Sequence, residues 1–160
     1  MPMLDGDDLA VLRELADRTR ILDVLHREAR AIDVRDWALW RTCYTDDADI
    51  DWTGNDAIRG RPDELGPWLA KVSENFPAPG YQHFVTNFEV TLNGDRATSR
   101  VLQLIPVALQ GADGKQIAFC GIWFDDEWVR QKGQWKIAKR VEHLAWRHNF
   151  PGGYQTPSVS

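Results

Sequence analysis

Apolar positions along the chain change their period once, and the change divides the sequence into two parts. Up to residue 76 they recur every three or four residues. Leu9, Leu12, Leu15 and Ala16 open a stripe that continues, slightly rotated, through Leu22, Leu25, Ala29 and Ile32, which is helical spacing. This helix is expected to start near Asp7 or Asp8, whose carboxylates suit a helix N-terminus, after a frayed stretch over residues 1–6. Asp36-Trp37-Ala38-Leu39-Trp40 reads as a short second helix capped by Asp36. Residues 48–52 read as a short strand, followed by the turn Thr53-Gly54-Asn55-Asp56. Gly60-Arg61-Pro62 opens a third helix carrying Leu65, Trp68, Leu69, Val72 and Phe76 on one face, closed by Pro77 and Pro79-Gly80.

From Tyr81 onward the period falls to two. Residues 81–92, 96–110, 116–130 and 134–148 read as strands, the second broken late by Pro106. Asn93-Gly94, Gly111-Ala112-Asp113-Gly114 and Gln131-Lys132-Gly133 supply the turns between them, and the tail from Pro151 is left irregular. In the first of these strands Phe84, Thr86, Phe88 and Val90 share one face. His83, Val85 and Asn87 share the other, a mixed face of the kind that half-lines a pocket. Helices first and a curled meander second predict a single α+β domain over residues 1–160. Its expected form is a cone-shaped α+β barrel, with the N-terminal helices packed on a curved, mostly antiparallel sheet that encloses a pocket.

Composition removes several function classes. The chain is 43% hydrophobic and 27% charged, an ordinary globular balance. A net charge of −5 and the lack of any Lys/Arg-rich run argue against a nucleic-acid partner. No apolar run is long enough to span a bilayer, and the acidic N-terminus does not resemble a signal peptide, so a cytoplasmic protein without a membrane partner is expected. Cys43 and Cys120 lie far apart, which indicates neither a disulfide framework nor a zinc site. His26, His83, His143 and His148 form no metal-binding spacing, and there is no P-loop, dinucleotide fingerprint or serine elbow. Neither a metal nor a cofactor is expected. Eight tryptophans suit either a bulky core or an aromatic-lined cavity.

What remains is proton transfer by side chains. On a helical wheel Asp33 falls roughly 20° from Leu22, inside the apolar stripe. A carboxylate there is costly unless paired; the alternatives are a cap for the next helix or a frayed last turn. His83 is a natural general base near neutral pH, and Asp33 on a covering helix could hold its second ring nitrogen. Arg140, alternating with Ala138, Glu142 and Leu144, could stabilise a departing anion or an enolate, or simply pair with Glu142. Cys120, Ile122 and Phe124 alternate along one strand and would line a cavity, with Leu144, Trp52 and Trp146 as further wall candidates.

Several segments carry a resemblance over about residues 8–150. They are Ala31-Ile32-Asp33 with Asp36-Trp37, Thr45-Asp46-Asp47-Ala48, His83-x-x-Thr86-Asn87, Asn93-Gly94-Asp95-Arg96-Ala97, Asp126-Glu127-Trp128 and Gly133-Gln134-Trp135-Lys136. Together they resemble the SnoaL-like branch of the nuclear-transport-factor-2-like fold, which includes scytalone dehydratase, bile-acid dehydratase, ketosteroid isomerase and hexachlorocyclohexane dehydrochlorinase. The resemblance implies a catalytic dyad at Asp33 and His83. It also matches Arg140 to an arginine that follows the strand tryptophan by five residues in the dehydrochlorinase. Glu28 stands five residues before the dyad aspartate, where relatives often carry a tyrosine or lysine. An ionised carboxylate cannot donate, so Arg140 or a tyrosine such as Tyr44 or Tyr81 is expected to supply that function. The implied activity is that of a cofactor-free lyase or isomerase acting on a small, hydrophobic, cyclic substrate. A homodimer is the default assembly and a trimer the alternative. The competing class is a non-catalytic binding or assembly domain, like the small subunits of ring-hydroxylating oxygenases. An epoxide hydrolase of this fold would need an Asp-Arg-Asp arrangement that the sequence does not assemble.

Overall fold

The computed structural model describes residues 6–76, 80–111 and 114–150, and the expected turn at Ala112-Asp113, the prolines 77 and 79 and the tail from Pro151 lie outside them. Helix α1 (Gly6–Asp33) carries Asp7 and Asp8 in its first turn, where free backbone N–H groups favour anions. Its apolar stripe divides in two. Ile21, Val24, Leu25, Ala29 and Ile32 enter the core, whereas Leu9, Leu12 and Leu15 are exposed. The contacts that bury the second half of α1 come from β3, β6 and the next helix. Helix α2 (Trp37–Arg41) starts at Asp36, whose carboxylate accepts from the Leu39 N–H at 2.9 Å. Helix α3 (Pro62–Ser73) takes Pro62 in its first turn, where an amide would go unused, and the Glu64 side chain accepts from the Arg61 N–H at 2.7 Å. It stops at Ser73, short of Phe76.

The strands are β1 (Tyr44–Asp51), β2 (Arg59–Gly60), β3 (Phe84–Asn93), β4 (Arg96–Gly111), β5 (Gly114–Gln131) and β6 (Gln134–His148). They form one sheet in the order β2-β1-β6-β5-β4-β3. The last four make an antiparallel meander, and β1 joins it in parallel beside β6. The molecule is α+β, with its helices on one face of a mostly antiparallel sheet. The sheet stays open, because β2 and β3 end it without pairing to each other. Strand β4 runs through Pro106 rather than breaking there. In an antiparallel ladder a residue's N–H and C=O face the same neighbour. The Pro106 carbonyl accepts from the Gln82 N–H at 3.2 Å, so the amide that proline lacks would have faced that segment and not β5.

Two of the four register shifts in the sheet bear on the expected site residues. In β3 the register slips between Thr86 and Glu89, with Asn87 at φ +48°. A slip of one residue exchanges the two faces of a strand. Phe84 therefore faces out and is exposed, while Phe88, Val90 and Leu92 pack on the core, and the expected shared face of Phe84, Phe88 and Val90 does not form. In β6 the pairing passes from Ile122↔Leu144 to Gly121↔Trp146, which leaves Ala145 as the extra residue and turns Trp146 outward. After β1 a 3-10 turn, Thr53–Asn55, lies on β6: a Cβ on Gly54 would collide with the Glu142 carbonyl, so only glycine allows the approach. Among the described residues no helix is long and apolar enough to cross a membrane.

Candidate active site

Asp33 is the last residue of α1, and His83 is the residue before β3. The Asp33 carboxylate meets His83 at two places. Its Oδ1 lies 2.6 Å from His83 Nδ1, and its two oxygens accept from the His83 backbone N–H at 3.2 and 3.1 Å. The backbone contacts fix where the strand begins relative to the helix, and the ring contact fixes the imidazole. A carboxylate accepting at Nδ1 selects the tautomer with its proton there and leaves Nε2 as the basic nitrogen. The His83 side chain is 11% exposed and that of Asp33 25%. Neither alternative for Asp33 applies, since α2 is capped by Asp36 and the helix is intact through Asp33. The Tyr81 ring stands edge-on to the imidazole at 5.5 Å between centroids, and Phe76 packs edge-on against Tyr81.

His83 borders a cavity of about 170 Å³. Its wall is mostly apolar: Ile32 from α1, Trp68, Leu69 and Val72 from α3, Trp52 after β1, and Ile105, Cys120, Ile122 and Phe124 from the sheet. Of the residues expected at the site, Glu28, Trp52, Tyr81, His83, Cys120, Ile122 and Phe124 border this space. Burial, together with the Glu142 carboxyl nearby, pushes the Cys120 thiol up to about 12, so it serves as wall and not as nucleophile.

Asp33 reaches the cavity only through His83, and Arg140, Tyr44, Leu144 and Trp146 do not border it. Arg140 is wholly buried behind the wall. Its Nε and Nη2 donate to the two Asp126 oxygens at 2.7 and 2.9 Å, Nη1 lies 3.1 Å from Glu28 Oε2, and its guanidinium stacks 4.4 Å from the Phe124 ring centroid. Burial works against the Arg140 charge, but Asp126, Tyr44 and Glu28 outweigh it and hold its pKa well above the ordinary value. A buried guanidinium needs such partners, and once it has them it is no longer available to a substrate anion. The Tyr44 hydroxyl, its pKa pushed well up by burial, donates to Glu28 Oε1 at 3.0 Å, where the Trp40 indole N–H also arrives at 3.2 Å. An acid-arginine-acid arrangement thus does exist, as Asp126-Arg140-Glu28. Only Glu28 of the three borders the cavity, and its oxygens already face three donors. Leu144 shares the inner face but stands clear of the cavity wall. Trp146 covers Gly121 on the outer face and is 47% exposed.

The polar wall residues Asn55, Ser73, Gln103, Glu142 and Arg147 escaped the sequence analysis, and two of them, Gln103 and Glu142, are buried on strands of the sheet. Both sit among apolar residues on buried strand faces, and that pattern was the available signal: Gln103 between Val101 and Ile105, Glu142 two residues from Leu144. Burial pushes the Glu142 carboxyl up to about 8, against the opposing pull of the Asn55 amide, Arg140 and Arg147, so it is largely protonated at neutral pH.

Residues 13–141 match the model of the SnoaL-like domain. A protein of Mycobacterium tuberculosis, itself uncharacterised, is 39% identical over 140 residues, covering 88% of this chain and 92% of its own. Two solved structures share the fold at lower identity. A candidate scytalone dehydratase from Novosphingobium aromaticivorans superposes with a TM-score of 0.75 at 14% identity, over 90% of this chain and 94% of its own. A hexachlorocyclohexane dehydrochlorinase, LinA type 2, gives 0.70 at 22% identity, over 91% and 97%. With the helices, the open sheet and a family model spanning most of its length, the chain belongs to the SnoaL-like domain family.

Proposed function

We propose that the chain is a cofactor-independent lyase or isomerase that removes a proton from carbon in a small, hydrophobic, cyclic substrate. The observation that carries this reading is the 2.6 Å contact between Asp33 and His83 Nδ1 at the edge of an apolar cavity. His83 Nε2 takes the proton; Asp33 holds the ring and stabilises the imidazolium as it forms. Arg140 acts indirectly, by anchoring the Glu28 carboxylate in the cavity wall. Cavity volume bounds the substrate. An apolar cavity of about 150 Å³ holds benzene, so about 170 Å³ suits one ring with small substituents. The names of the dehydratase and dehydrochlorinase neighbours agree with elimination chemistry.

The test is a panel of single-ring ketones, β-hydroxy ketones and chlorocyclohexanes in D2O, with deuterium incorporation and alkene formation followed by NMR. The wild-type chain is expected to react with members of the panel, and His83→Ala to lose about 10²–10⁴-fold in rate while keeping its melting temperature. A second reading has one observation in its favour: Phe84, Ile117 and Trp146 are exposed, as an assembly domain would require. It expects the reverse, no reaction with any panel member and a loss of stability or assembly in His83→Ala.

A further inference from the structure

Among the described residues, three polar atoms of the cavity's lining side chains have no hydrogen-bond partner: Trp52 Nε1, Gln103 Nε2 and Glu142 Oε1. All three side chains are more than nine-tenths buried, at 5%, 1% and 7% exposure. Each such orphan costs free energy in an otherwise apolar setting unless something in the cavity meets it. The fold places Trp52 and Glu142 away from the dyad and Gln103 on the strand next to it, where it pairs with Val85. Glu142 is on β6 and Trp52 enters the turn that rests on β6 at Glu142, whereas His83 opens β3, and two strands, β5 and β4, separate β6 from β3. Gln103 projects from β4 in between, paired with Ile122 on the inner face.

We propose that Trp52, Gln103 and Glu142 form a second polar subsite in this cavity, which takes an uncharged oxygen function, a ketone or hydroxyl, carried on a single-ring ligand. Two of the three unpartnered atoms are N–H donors and so require an acceptor. Glu142, carrying its proton, donates to the same oxygen. A charged group is disfavoured on both counts. The nearest cations are already engaged, Arg140 by Asp126 and Glu28, Arg147 by Asp56 and Asn55. An anion would also face Glu28, and a cation would bury itself among indole and amide N–H groups. The dyad and the subsite then hold the ligand from two walls, an oxygen at one end and a C–H at the other. The inference rests on the proposed function for the identity of the ligand as substrate; the binding itself does not need the dyad.

The test titrates the full ¹⁵N-labelled chain with cyclohexanone, chlorocyclohexane, methylcyclohexane and cyclohexanecarboxylate. The readout is the Trp52 indole N–H resonance, assigned by its disappearance in Trp52→Phe. Cyclohexanone is expected to move this resonance downfield and to bind about tenfold more tightly than methylcyclohexane. Gln103→Leu is expected to remove about that tenfold preference, while methylcyclohexane still binds and so reports an intact cavity. The preference should also fade as pH rises through about 8, where Glu142 loses its proton with Arg140, Arg147, Asn55 and Glu28 around it, and stay level in Glu142→Gln. An unmoved Trp52 resonance at the solubility limit of the ketone overturns the subsite. So does equal or tighter binding of chlorocyclohexane or the carboxylate. Repeating the ketone titration on His83→Gln separates the two proposals. A shift that persists there supports the subsite whatever the fate of the dyad, and His83-dependent exchange without any Trp52 shift leaves the dyad standing and the subsite refuted.

Discussion

One carboxylate sets both the position and the chemistry of His83. Because Asp33 accepts from the His83 backbone as well as its ring, Asp33→Asn changes more than charge. The amide can present its own N–H to Nδ1, which then carries the lone pair, and the proton moves to Nε2, where the base is needed. The expected result is a fall in kcat of about 10²–10⁴-fold with KM nearly constant, read from the same exchange assay as His83→Ala. Glu142 makes a separate prediction about stability. Its folded pKa of about 8 lies above the ordinary 4.5. Between those values the folded state keeps a proton that the unfolded state has released. Stability from this group is therefore complete below pH 4.5, declines as pH rises, and is lost by pH 8. Glu142→Gln has no proton to lose, so its melting temperature should match that of the wild type near pH 4.5, move ahead as pH rises, and reach its full lead by about pH 8. A parallel pair of pH profiles would show that Glu142 ionises normally.

At the scale of elements, the second half of α1, the Asp36 cap and the hairpin at Asn93-Gly94 were legible because each rests on local chemistry: a period, a capping oxygen, a glycine at φ +60°. Asp33 was legible for the same reason, since one wheel position placed a carboxylate on an apolar face. The bulges were not. An extra residue leaves alternation intact on both sides of itself and merely exchanges the faces, so Phe84 was grouped on one face with Phe88 and Val90, and Trp146 was assigned inward, on a correct period and a wrong phase. The faint signal in β3 was Asn87, a residue that tolerates a left-handed backbone. Asn87→Gly should therefore leave stability nearly unchanged, and Asn87→Val should cost about 1–2 kcal/mol in urea denaturation. Arg140 failed differently. Alternation gave its face correctly but not its depth, which depends on Asp126 from β5 and Glu28 from α1 meeting it from opposite sides. That depth has a measurable consequence: Arg140→Met strands two buried carboxylates and should cost about 3–5 kcal/mol in the same measurement, far more than a surface ion pair.

For the whole molecule, the face of the sheet turned away from the helices is the feature that separates the two functional classes. Phe84, Leu104, Gly121 and Trp146 form one row across four strands, and Leu102 and Trp123 lie in the next. Beside them Arg100 and His143 both reach Asp125, at 2.7 and 3.2 Å, so the same face carries charges of both signs. A surface that is apolar at its centre and carries both signs beside it can complement a second copy of itself across a two-fold axis. The expectation is a homodimer by analytical ultracentrifugation, with the trimer as the alternative closed assembly. Trp146→Glu, which puts a charge at the centre of the row and touches nothing in the cavity, should release monomers that keep the Asp33–His83 contact and bind cyclohexanone as the wild type does. A wild-type chain that sediments as a monomer, and reacts with no member of the substrate panel, would mean that this face awaits a different protein. The assembly reading would then replace the enzymatic one, because an apolar sheet face left uncovered by its own copies needs another partner to bury it.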